Sequence, residues 1–158
     1  MEVEYDPSLP AGYLWRRDWK LNGDFTVEMD GVFRGARPSN IPEGDDPDWK
    51  MYNPGHGWIG IALGGKGLFE GYQKVINPMV AGWTDANPPV FSLEGAGRKS
   101  KSVRKRVAAP VLREGDAFSI RVAVSRTGGQ AKVKAMLVVG EDRFETPEVP
   151  VDASLVEG

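Results

Sequence analysis

Alternation of apolar and polar side chains dominates this chain, and it is cleanest between Asp116 and Gly140. Apolar residues recur at Phe118, Ile120, Val122 and Val124, then again at Val133, Ala135, Leu137 and Val139. A period of two places each set on one face of an extended strand. Gly128-Gly129 separates the runs, and glycine permits the positive φ of a two-residue hairpin turn. Such a turn pairs Val124 with Val133, Val122 with Ala135, Ile120 with Leu137 and Phe118 with Val139. Arg121 and Lys132 then fall on the opposite face. A slip of one residue breaks every apolar match, so periodicity and turn chemistry predict the same antiparallel hairpin.

The rest of the chain reads as shorter strands joined by turn-rich segments. Residues 1–12, with Pro7 and Pro10, read as an extended arm. From Gly23, Phe25, Val27, Met29 and Phe33 share one parity while Thr26, Glu28 and Asp30 share the other, which predicts a strand. Residues 35–57 form a long polar loop, a length that points to function or insertion. Trp58–Leu63 is apolar on both faces, as in a central strand. Further strands are expected at VAGWT, at VFSL and at Val107–Leu112, where Pro110 interrupts. Phe144–Val151 reads as a Pro-punctuated edge strand within an extended tail, 144–158. No helical periodicity is sustained. The fold class is therefore all-β: an antiparallel β-sandwich or jelly roll, in a single domain over 1–158.

Composition narrows the chemistry. The 158 residues hold no cysteine, which excludes disulfides, thiolate nucleophiles and cysteine-based metal sites. Twenty glycines and twelve prolines suit many tight turns. A net charge of −2 gives no bulk attraction for polyanions. The first residues carry neither a basic region nor an apolar core, so synthesis in the cytoplasm without a signal peptide is expected, with a virion as one destination. No apolar run is long enough to span a membrane.

Two segments together resemble the concanavalin A-like lectin/glucanase sandwich in its laminin-G-like form. Trp19-Lys20-Leu21-Asn22-Gly23-Asp24-Phe25-Thr26-Val27-Glu28 looks like that superfamily's entry into an early strand. Glu114–Glu141 is similar to its late hairpin, and Gly57–Gly65 fits a central strand; together these touch about a third of the chain. Phe118 stands where that hairpin usually opens with Trp, and Val139-Gly140 replaces its Asp-Gly ending. The resemblance implies a sandwich, often glycan-binding or adhesive, and it carries over no binding residue.

Four groups of residues are candidate sites. Glu28 and Asp30 lie two apart on a strand, about 6.5–7 Å along the backbone, a spacing that suits paired carboxylates in glycoside hydrolysis. If Phe25, Val27 and Met29 line the core, the same two acids are ordinary surface charge. Asp45, Asp46 and Asp48 offer clustered oxygen ligands to calcium, without the regular spacing of a calcium loop. Trp49, Tyr52, Trp58 and Trp83, with His56, Asp85 and Asn87, supply rings and polar groups for a glycan or a protein surface. For Trp58 and Trp83 the competing reading, slightly favoured, is the core. Arg98, Lys99, Lys101, Arg104, Lys105 and Arg106 form the densest charge in the chain, fit for an acidic partner or a solvated edge. No aromatic residue interleaves them, which argues against single-stranded nucleic acid.

These features point to a non-enzymatic sandwich that binds or assembles, such as a phage decoration (cement) protein contacting other subunits or copies of itself, with no cofactor. The alternatives are a lectin-like glycan-binding domain and a polysaccharide-degrading glycoside hydrolase.

Overall fold

The structure is a computed structural model, and it describes residues 21–33, 58–64, 79–84, 88–95 and 103–156. Among the described residues are nine strands: β1 (Phe25–Val32), β2 (Trp58–Leu63), β3 (Met79–Thr84), β4 (Val90–Gly95), β5 (Val103–Ala108), β6 (Ala117–Thr127), β7 (Gln130–Val139), β8 (Asp142–Glu145) and β9 (Val149–Asp152). A 3₁₀ turn, Ala153–Leu155, follows. One sheet runs β1-β6-β7-β8, with β9 also on β7; the other runs β2-β3-β4-β5. Every pairing is antiparallel. The all-β expectation holds.

The β6–β7 hairpin takes the register its alternation predicts: Val124 opposes Val133, Val122 opposes Ala135, Ile120 opposes Leu137 and Phe118 opposes Val139. Gly128 alone in the turn has a positive φ, 63°, as at the first central position of a type II′ turn. β1 extends the sheet along β6, with Glu28 opposite Arg121 and Met29 opposite Ile120.

Between the sheets lies one core. Ile120, Val122, Val133, Ala135 and Leu137 from the first sheet join Ile61, Leu63, Met79, Ala81, Trp83, Phe91 and Leu93 from the second. Alternation explains each inward position, because side chains two apart share a face.

Two expectations need refinement. β8 and β9 lie at the edge of the first sheet, as expected, but the tail also enters the core: Val149, Val151, Ala153, Leu155 and Val156 are buried. β8 and β9 divide one side of β7 between them, β8 against 136–139 and β9 against 130–133. Pro147 lacks an N–H and breaks the ladder between them. Thr146 bridges the gap. Its N–H donates to the Ala135 carbonyl at 2.9 Å, and its buried Oγ1 accepts from the Ala135 N–H at 3.0 Å. The second refinement is the strand expected at Val107–Leu112. It begins earlier, at Val103, and ends at Ala108, so Arg104–Arg106 lie inside it. Pro110 ends the pattern, and the Val103–Val107 parity matches Phe91 and Gly95 of β4.

Two stability tests follow from these contacts. At Gly128 a side chain meets no neighbour but must hold a positive φ, so Gly128→Ala is expected to destabilise by about 1–2 kcal/mol. Gly129 is not among the positive-φ glycines and is equally open, so Gly129→Ala should be neutral or slightly stabilising in urea melts. Equal effects would contradict the turn geometry. Thr146→Val leaves the Ala135 N–H without its acceptor and is expected to cost about 1–3 kcal/mol, measured by the same melts.

Candidate functional site

β5 ends the second sheet among the described residues, and its backbone direction follows from one bond. The Ala109 N–H donates to the Pro89 carbonyl at 3.2 Å. In an antiparallel ladder, hydrogen-bonded and open positions alternate. Val103, Lys105 and Val107 therefore turn their amides toward β4, whereas Arg104, Arg106 and Ala108 turn theirs toward the outer edge.

The side chains make that edge basic. Arg104 lies opposite Glu94 and Arg106 opposite the buried Ser92, on the face away from Phe91 and Leu93. Both donate through Nε to Glu94 Oε1, at 3.1 and 3.3 Å. The arginine side chains stay 60% and 46% exposed, so these pairs are weak and salt-screened. Lys105 lies opposite the fully buried Leu93 yet is itself exposed. A lysine at core parity on an edge opposes pairing with an apolar strand. Arg104 and Arg106 share the Glu94 carboxylate, and with Lys105 on the other face the three cations exceed it by two positive charges.

The outer face of the first sheet is different, because its described charges are largely paired. Glu28 accepts from Arg121 Nη2 at 2.7 and 2.8 Å and from Ser119 Oγ at 3.0 Å. Lys132 pairs with Glu148 at 3.0 Å, and Lys134 pairs with Glu145. The Arg121 guanidinium first, and the Ser119 hydroxyl second, hold the Glu28 carboxyl below the usual glutamate range. A glycosidase acid needs the opposite, a raised value that keeps its proton near neutrality. Glu28 and Asp30 share the exposed face, as alternation requires, but Glu28 is a cross-strand salt-bridge partner there.

Trp83 must be removed from the ligand-binding candidates. It is 1% exposed, its indole Nε1 donates to the Pro110 carbonyl at 3.1 Å, and its ring meets Phe33 edge-on at 6.0 Å. A ring so enclosed offers no face to a sugar. The Trp58 backbone lies in β2 opposite Thr84. Trp49, Tyr52, His56, Asp85, Asn87, Arg98, Lys99, Lys101, Asp45, Asp46 and Asp48 lie outside the described residues. Among the described residues no three His, Asp or Glu side chains gather as a metal site, and no helix is long and apolar enough to cross a membrane.

One structural cation escaped the sequence reading. Arg126 Nη2 donates to the Leu21 carbonyl at 3.1 Å and to the Val156 carbonyl at 2.9 Å, tying both ends of the described chain to β6. Its guanidinium also lies 5.8 Å from the Phe25 ring centre. Its position beside the hairpin turn gave no local sign of this, since both partners are backbone carbonyls distant in sequence.

Comparison of the chain with protein-family models, with curated proteins and with solved structures gives no match.

The Glu28–Arg121 pair has a pH signature. The lowered carboxyl contributes stability that is present above the unfolded glutamate value and is lost as pH falls through the folded one. Glu28→Gln should therefore melt slightly below wild type at neutral pH, and the gap should close below about pH 4. Asp152, also lowered through Ser154, is common to both proteins and cancels in the difference. A gap that stays constant into strong acid would contradict the pair.

Proposed function

We propose that this protein is a non-enzymatic β-sandwich that acts as an assembly or surface component of a larger particle, such as a phage virion decoration protein. The observation that carries this reading is the β5 edge. It combines outward-facing backbone amides with a surplus of positive charge, which suits an acidic protein surface. A concanavalin A-like sandwich used as a scaffold is part of the same reading. The paired outer face of the first sheet is consistent with a solvent-facing side.

Fractionation by size of the material in which the protein is made tests this. The protein is expected in a high-mass fraction, and Arg104→Ala/Lys105→Ala/Arg106→Ala should shift it at least about tenfold toward the free form. The variant should keep its circular dichroism spectrum, since these side chains are exposed. Recovery of the wild type solely as free monomer would overturn the reading.

A further inference from the structure

We propose that Glu2–Asp6 of one copy adds as a strand, in a second copy, to the edge of β5 that no described strand covers. This rests on the assembly reading above and names the partner. The edge supplies the backbone half of the contact: Arg104, Arg106 and Ala108 direct N–H and C=O groups outward, the template that strand addition uses. It also supplies a filter. Arg104 and Arg106 on the outer face call for acids at alternate positions, and two β5 edges brought together would oppose like charges.

The arm satisfies that filter. Glu2-Val3-Glu4-Tyr5-Asp6 alternates acid with apolar residues, so an extended backbone carries three carboxylates on one face and Val3 and Tyr5 on the other. With Tyr5 opposite Lys105, either strand direction sets Glu4 and Asp6 beside Arg104 and Arg106. Val3 then lies beside Val103 or Val107, both only partly buried against the core.

Position allows a neighbour as the acceptor. β5 packs across from β8, whereas β2 packs across from β6, next to β1. The described chain starts at Leu21, held by Arg126 beside β1, on the far side of the sandwich from β5. Pro7 and Pro10 favour an extended path between arm and body. A donor on one side and an acceptor on the other give a head-to-tail contact, which forms rings or open chains rather than a two-fold dimer.

The absence of cysteine makes disulfide trapping free of background. Toward an added strand Lys105 occupies a non-hydrogen-bonded position, where opposed Cα atoms lie about 4.5 Å apart in an antiparallel pair, within reach of a disulfide. Full-length Tyr5→Cys and Lys105→Cys proteins, mixed under mild oxidation, should form about tenfold more covalent dimer than either alone, through a local concentration set by the bound arm. The double variant should give a ladder of multimers. A mixture no richer in dimer than the single variants, or a double variant that closes its disulfide within one chain, would overturn the proposal. Sedimentation of wild type beside a chain lacking residues 2–6 separates this contact from the assembly reading. Association that survives the deletion overturns the arm contact and leaves the assembly reading standing. A monomeric wild type that forms no 5–105 bridge also overturns it, while recovery in the high-mass fraction would still support assembly through other partners.

Discussion

The first sheet depends on the register of the β6–β7 hairpin, because each of its other strands is placed by one of these two. β1 pairs along β6 over its whole length, and β8 and β9 share the free side of β7. A slip of one residue would turn Ile120, Val122, Val133, Ala135 and Leu137 out of the core in a single step. The burial of five such side chains, each contributing on the order of 1 kcal/mol or more, greatly outweighs the surface ion pairs on the other face. Arg121, Lys132 and Lys134 thus follow from the register; they decorate it and do not set it.

Legibility tracks how local the determining interaction is. The hairpin, β1 and β4 were readable because alternation and turn chemistry act between neighbours in sequence. The edge position of the tail is legible in Pro147 and Pro150, whereas its burial is not. What holds it is a contact outside the segment, the Thr146 side chain at Ala135, together with burial of Val149 and Val151. β5 was misplaced for a related reason. Consecutive cations mask the alternation, and only pairing with Phe91, Leu93 and Gly95 shows that Val103 and Val107 define its inner parity. Trp83 stood between core and ligand site in the sequence. Its Pro110 acceptor, which settled the matter, lies 27 residues away.

In this all-β fold the surface chemistry carries the functional signal. Of the described sheet edges, β1 and β5 differ in the sign and in the pairing of their charges. On β1, Glu28 is tied to Arg121 across the strand pair, which ties its charge to the sheet itself. On β5, Arg104 and Arg106 share Glu94 at distances of 3.1 and 3.3 Å while both stay exposed. A partner carboxylate could join such a shared pair with little rearrangement, because the guanidinium groups retain donors that Glu94 does not use.

A solvated edge explains exposed cations but makes no demand on what lies opposite. The β5 edge makes two demands together. Its backbone requires an extended strand, and Arg104 and Arg106 require acids at alternate positions on the outer face. Few segments meet both conditions, and Glu2–Asp6 meets them within this chain. Discrimination by charge sets which strand is accepted, and the ladder hydrogen bonds hold it once accepted. High salt should therefore weaken the choice of partner more than it weakens the sandwich, whose core is apolar and indifferent to screening.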